Sequence, residues 1–384
     1  MPRFKMKEAY FHAWCYAVCV FLFAIGHTKI QGLSFITGIM VTYGKFIPVM
    51  FSMLLLARKL KFNIKSLGIM LVFGLLLLLG FISHDLSYTV FFIAYFMVAC
   101  SRTNPTQIYK YYTVSVFIVI VLTVILALLG ILENDNSWYG RYDLGFTYCT
   151  FGPNLFFSAC IALVGWKKEK ISFGIWLFIL AFNQYFFWKT STDAVYMCVI
   201  ALFFGWVILK NYKVKVFLER SKISRFVFAH SAVIFAILTI AFQIYYNSHA
   251  TNATMMWLNS RLSTRLYMGL RVFGRYSSGQ ALIKELFFGL NTEFASYLDS
   301  SYLAILTQFG IPLLLAYCLF MDYLGKHAYE SKDYCLAVCV LVFMIHCITD
   351  PQLSSFRCNP LLITSLFSFR KSDGGIVLTQ NKSV

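Results

Sequence analysis

The sequence predicts an all-α protein, a polytopic bundle of about twelve transmembrane helices, and three observations carry that prediction. Of its 384 residues, 59% are hydrophobic and 13% charged, with mean hydropathy +0.70, whereas an ordinary soluble domain is roughly 45–50% apolar and 25% charged. No soluble core could bury that share. The apolar residues come in blocks of roughly 15–23, enough at about 1.5 Å per residue to cross about 30 Å of hydrocarbon. The blocks lack the alternation of barrel strands, so helices remain as the way to satisfy the backbone in lipid.

The elements follow in order. The first block, 9–27, comes after Arg3, Lys5 and Lys7 and runs into further spans without a small-residue cleavage site, which marks an anchor rather than a cleaved signal. Span 36–57 ends before Arg58 and Lys59, and span 66–83 begins after Lys65. Span 86–100 is short, and so is the last, 359–370, so each suits a re-entrant or tilted helix. Between them stand 113–132, 151–166, 171–188, 193–209, 225–244, 302–324 and 333–349. All 384 residues are expected to form a single transmembrane domain with two notable loops, 133–150 and 245–301.

Lysines and arginines orient the bundle, because they concentrate on the cytoplasmic side. With the N-terminus inside, every inner segment carries at least two, from Arg58, Lys59, Lys61 and Lys65 to Arg370 and Lys371. Both termini are thereby expected in the cytoplasm. Much of the net charge of +17 is this topology signal, and the basic residues are too dispersed to read as a nucleic-acid surface. Most of the eleven cysteines fall inside spans, with Cys149 and Cys358 in outer segments. The histidines are scattered, those at span ends read as interfacial packing, and no ligand spacing resembles a metal site, so neither metal nor cofactor is expected.

Positive residues left outside run against the orientation rule, and they cluster. The 245–301 loop holds Arg261, Arg265, Arg271, Arg275 and Lys284. On one continuous helix the four arginines share an arc of about 120°, beside a stripe of Leu262, Leu266, Leu270 and Phe273. Such an amphipathic helix would lie at the membrane surface with its guanidinium groups toward water. Guanidinium groups bind phosphate in a two-point fork, so the cluster suits a diphosphate; contact with lipid headgroups is the plainer reading.

The 133–150 loop offers Glu133, Asp135, Arg141 and Asp143 among Trp138, Tyr139 and Tyr142, a mixture that suits sugar rings and equally suits an interfacial aromatic belt. Just before span 302–324, Asp299 stands at the mouth of the bundle. It could serve as general base toward a sugar hydroxyl, or it could cap the helix that follows, as Ser301 could.

These residues form a pattern: Arg141 ahead of Gly145 and Phe146, Pro153 and Asn154 at the head of a span, Thr190 and Ser191, then a long outer loop whose arginines lead to Gly289, and Asp299-x-x-Tyr302-Leu303 before Gly310-Ile311. The arrangement resembles the O-antigen ligase and polymerase superfamily, and is most similar to Wzy-type oligosaccharide repeat-unit polymerases of capsule and exopolysaccharide loci. Asp193 stands near the place where those proteins carry an arginine. The resemblance implies a metal-independent, inverting glycosyltransferase of the GT-C type in the cytoplasmic membrane of the cell, with its site facing the exterior. Donor and acceptor would both be undecaprenyl-diphosphate-linked glycans, and a chain-length regulator and a flippase are the protein partners implied. It implies a base at Asp299, a diphosphate held by Arg261, Arg265, Arg271, Arg275 and Arg141, and sugar contacts at Trp138, Tyr142, Asn154 and Tyr302. Within the class the alternative is an O-antigen-type ligase. Outside it stands a twelve-span secondary transporter, although such carriers usually have two similar halves and a long central connection, and here the long loop comes late.

Overall fold

The computed structural model describes residues 2–57, 88–135, 140–262, 264–273, 286–287, 289 and 298–372. The expected span 66–83, and with it Trp138, Tyr139, Arg275 and Lys284, lies outside the described residues. Among those described, regular structure is helical throughout, with one isolated β-bridge between Thr28 and Phe146.

In chain order the helices are α1 (Pro2–Ile25), α2 (Phe35–Tyr43), α3 (Phe46–Ala57), α4 (Tyr88–Ala99), α5 (Pro105–Leu128), α6 (Phe151–Lys167), α7 (Phe173–Thr190), α8 (Asp193–Leu209), α9 (Tyr212–Arg220), α10 (Lys222–His249), α11 (Ala253–Arg261), α12 (Arg265–Phe273), α13 (Ser301–Glu330), α14 (Tyr334–His346) and α15 (Pro360–Ser372). Among the described residues, four runs are long and apolar enough to cross a membrane: Phe35–Leu55, Pro105–Leu128, Lys222–His249 and Ser301–Glu330. Helices α8 and α9 would make a fifth, bent by 95°. Tyr10–Ile25, Thr89–Arg102 and Tyr334–His346 are shorter apolar helices.

Packing agrees with a lipid surround. On α5, Tyr112, Val116, Val119 and Val124 are buried, while Val114, Ile118, Val121 and Ile125 are exposed. A helix apolar on its outward face as well as its inward one belongs in hydrocarbon rather than water. Helix α6 is the hub: every residue from Gly152 to Gly165 is buried.

Two long helices are broken where a side chain or a loop intervenes. In α10 the backbone leaves helical geometry at His230, and the Asp322 carboxylate of α13 accepts from the freed Ala232 N–H at 2.7 Å and Val233 N–H at 3.3 Å. In α13 the break is Gly310, with φ +78°, just before Pro312. A Cβ there would meet the Phe287 carbonyl at 2.2 Å, so glycine is what lets the end of the long loop pass against the helix.

That loop departs from expectation. A single helix carrying Arg261 through Arg275 is not formed, because α11 ends at Arg261 and α12 begins at Arg265. Thr264 between them sits at φ +65°. Asn259 stabilises the break: its carbonyl accepts the Thr264 N–H at 2.9 Å and its side chain accepts the Tyr267 N–H at 3.0 Å. The common arginine arc is therefore corrected, and Arg261 belongs to a separate helix, with its guanidinium 5.6 Å from the Trp257 ring centroid. The apolar stripe is corrected too, since α12 buries Leu266, Gly269 and Val272. Gln243 of α10 lies against Gly269, where a Cβ would fall 2.3 Å from its Oε1, and its Nε2 donates to the Leu266 carbonyl at 3.0 Å.

Connections expected on one side of the membrane do meet. The Tyr142 N–H donates to the Lys189 carbonyl at 2.9 Å, the Thr147 N–H to the His27 carbonyl at 3.0 Å, and the Ser301 hydroxyl to the Asp350 carbonyl at 2.5 Å. The opposite end is closed by ion pairs, Lys168 with Asp333 at 2.6 Å and Lys215 with Glu169 at 2.6 Å.

Candidate functional site

The end that gathers the loops around 28, 140–150, 190, 298–301 and 347–359 also gathers the polar groups. Asp299 precedes α13, and its Oδ2 accepts from Arg265 Nε of α12 at 2.8 Å. The N-cap of α13 is Ser300, without a side-chain capping bond, and the Ser301 N–H donates instead to the Cys347 carbonyl at 2.9 Å. Asp299 therefore serves Arg265 rather than the helix end. Both side chains remain partly open to solvent, at 29% for Arg265 and 49% for Asp299.

Arg141 belongs to the same neighbourhood. Burial pushes the pKa of the Cys149 thiol up, against the pull of the positive charge on Arg141. The Tyr148 hydroxyl is pushed up first by burial, further by Asp299, and is drawn down by Arg141 and Arg265. One phenol thus feels both arginines and the carboxylate. Arg271 lies exposed on α12.

Beneath the Arg265–Asp299 pair is a buried network. His346 ends α14 with its ring edge-on to Phe157, centroids 4.7 Å apart, and its Nε2 is 2.9 Å from Asn154 Oδ1. Asn154 Nδ2 donates to Asp350 Oδ1 at 3.2 Å. The three residues are 1%, 1% and 5% exposed, in the order His346, Asn154, Asp350. Asp350 Oδ2 and His346 Nδ1, the two outer atoms of this chain, have no protein partner. Burial pushes the Asp350 carboxyl up to about 7, against the opposing pull of Arg265 and the Asn154 amide.

The other expected residues fare differently. Tyr302 is fully buried, and its hydroxyl donates to the Met344 carbonyl at 2.9 Å, so it joins α13 to α14 instead of facing a ligand. Tyr142 keeps Lys189 Nζ over its ring at 5.1 Å. The loop carboxylates are drawn inward to a lysine: Lys29 Nζ lies 2.7 Å from Asp135 and 2.8 Å from Asp143. Cys149 and Cys358 are both buried free thiols. No group of three or more His, Cys, Asp or Glu side chains suited to a metal ion occurs among the described residues.

Sequence reasoning took His346 for interfacial packing and passed over Asp350. A histidine and an aspartate four residues apart at a span end, with Asn154 at the head of another span, were the available signal; nothing in the chain order says that α6 and α14 lie side by side. No protein-family model matches this sequence, and comparison with curated proteins and with solved structures likewise finds no match.

Proposed function

We propose that the chain is a glycosyltransferase of the GT-C type, with about twelve spans and both termini in the cytoplasm, that polymerises undecaprenyl-diphosphate-linked repeat units on the outer side of the cytoplasmic membrane. The observation that carries the proposal is the Arg265–Asp299 pair, half open to solvent at the end of an apolar bundle, with Arg141 beside it and a buried carboxyl below. A cationic group aimed at a leaving diphosphate stabilises the charge that develops there, and a carboxylate nearby can take the acceptor's proton. The resemblance puts that base at Asp299; Asp350 is a second carboxyl at the same end.

The test is conversion of a purified undecaprenyl-diphosphate oligosaccharide by the purified protein with EDTA present. A ladder of products separated by one repeat supports a polymerase. Transfer of a preformed chain to a different lipid, without a ladder, would assign the ligase reading. Uptake of solute by proteoliposomes without either product would assign the transporter. Activity lost in EDTA and restored by magnesium or manganese would overturn the metal-independent chemistry.

A further inference from the structure

Between α8 and α10 the chain turns sharply. Helix α9 is bent by 95° from α8, so where α8 runs as a span, α9 runs across the end of the bundle. It does not continue into hydrocarbon, because Lys213, Lys215, Glu219 and Arg220 put charge on nearly half of its length. Asn211 starts it with a side chain that accepts the Lys213 N–H at 2.9 Å. One side is fastened to the bundle. Lys215 pairs with Glu169 at 2.6 Å, Glu219 pairs with Lys332 at 2.9 Å, and the Tyr329 hydroxyl of α13 donates to the Leu218 and Ser221 carbonyls. On a helical projection Arg220, Lys213 and Phe217 share an arc of about 60°, turned away from Leu218. All three are exposed.

The charge left over at this end is positive. Among the described residues Glu169, Glu219, Glu330 and Asp333 are each taken up by a cation, with none left for Lys213, Arg220 or Lys222. Large apolar side chains stand beside these three cations, uncovered by the bundle: Tyr212 is 77% exposed, Phe217 64% and Ile223 78%. Water alone would leave the apolar groups unburied, and hydrocarbon alone would strip the cations of solvent. The two together suit the boundary where headgroup phosphates meet acyl chains.

We propose that α9 and the head of α10 form a docking surface for anionic phospholipid, with Lys213, Arg220 and Lys222 against headgroup phosphates and Phe217 and Ile223 at the acyl boundary. The inference rests on charge complementarity and on the membrane setting, and it is independent of the glycosyltransferase reading. A guanidinium takes two phosphate oxygens at once, while a lysine acts as a point charge. A zwitterionic headgroup carries its own ammonium beside the phosphate, so the cations favour a headgroup of net negative charge, by about fivefold for each cation at the surface. Docking would hold α9 on two sides, by Tyr329 and the ion pairs on one and by lipid on the other.

The experiment is photo-crosslinking of the full-length protein in vesicles of phosphatidylcholine with a minority of phosphatidylglycerol. A trace of one lipid or the other carries a photoreactive headgroup, and adducts are mapped by peptide mass. Wild type is expected to take the phosphatidylglycerol probe within 212–226 at least about fivefold more than the phosphatidylcholine probe. Lys213→Gln combined with Arg220→Gln should bring that ratio close to unity. Molar salt should do the same to wild type without any substitution, since exposed charges are screened. Equal labelling of wild type by the two probes, or a preference that survives either the double variant or salt, overturns the proposal. Adducts absent from 212–226 with both probes would place α9 in water or against a protein, and overturn it as well. Activity on glycans is not read here, so failure of this proposal and failure of the glycosyltransferase reading are separate results.

Discussion

The two ends of the bundle both carry ion pairs and differ in what lies beneath them. At the Asp333 end, cations and carboxylates meet across helix termini: Lys168 with Asp333, Lys215 with Glu169, Arg225 with Glu330 at 2.9 Å and Lys332 with Glu219 at 2.9 Å. Those pairs are largely solvated and work as clips, each contributing little. At the Asp350 end Lys29 meets Asp135 and Asp143 in a similar way, but the Arg265–Asp299 pair stands above a carboxyl that is 5% exposed and lies 3.9 Å from the nearest histidine nitrogen. Buried polar atoms without partners cost free energy that a well-packed core would avoid. Trp176 and Trp206 leave their indole N–H groups without partners toward the Asp333 end, but an unpartnered buried carboxylate oxygen occurs at the Asp350 end, where the proposed function puts its chemistry.

The largest expected effect concerns which end faces out. A reporter active only outside the cytoplasm should be fully active when fused at Asn252 and silent after Arg220. The reverse result would turn the bundle over and place the Asp350 end in the cytoplasm, away from any externally exposed substrate.

Next is stability. The Asp350 carboxyl rises from an ordinary 3.8 to about 7 in the folded protein, so between these values the folded state holds the extra proton. Stability is therefore lost as pH rises through that window, on the order of 4 kcal/mol at most. Asp350→Asn should unfold at a higher temperature than wild type at pH 8, and the gap should shrink as pH falls toward 4. A variant less stable than wild type at pH 8 would mean that the carboxylate is held by contacts stronger than burial.

Smaller is the seat of α12. Gly269→Ala brings a Cβ within 2.3 Å of Gln243 Oε1, and overpacking of this kind costs about 1–3 kcal/mol. Activity should fall as Arg265 moves, and Gln243→Ala in the same chain should restore part of it. If the single and double variants are equally impaired, α12 is not seated by this contact.

The smallest effect is expected at the other end. Arg225→Gln removes one solvated pair, and melting should show a loss below about 1 kcal/mol with activity within twofold of wild type. A tenfold loss of activity would erase the distinction between the ends.

Much of the architecture is legible in the sequence because the bilayer enforces it. Apolar block length located α5, α10 and α13 to within several residues, and the loops expected to share a side do meet through Tyr142, Thr147 and Ser301. The break between α11 and α12 was not foreseen, although Ser263 and Thr264 are cap-forming residue types and Asn259 is suited to local backbone bonds. A helical projection assumes a continuous backbone, and one left-handed residue voids it. Arg265 and Asp299 stand out in the sequence because both are charged residues in an outer loop beside a span. The His346–Asn154–Asp350 network does not, because it depends on lateral contact between helices far apart in the chain, which periodicity cannot report. Lys29 was likewise unreadable as the partner of Asp135 and Asp143.

The central claim is that arginine at the Asp350 end holds a diphosphate, and it is tested most directly by equilibrium binding of undecaprenyl diphosphate to wild type, Arg265→Lys and Lys168→Gln in nanodiscs of uncharged lipid. Lysine keeps the charge of Arg265 but loses the planar two-point fork. The account predicts about tenfold or more weakening in Arg265→Lys, equivalent to about 1.4 kcal/mol, with Lys168→Gln indistinguishable from wild type. Equal affinity in all three proteins would contradict it and leave Arg265 as a surface arginine among lipid headgroups.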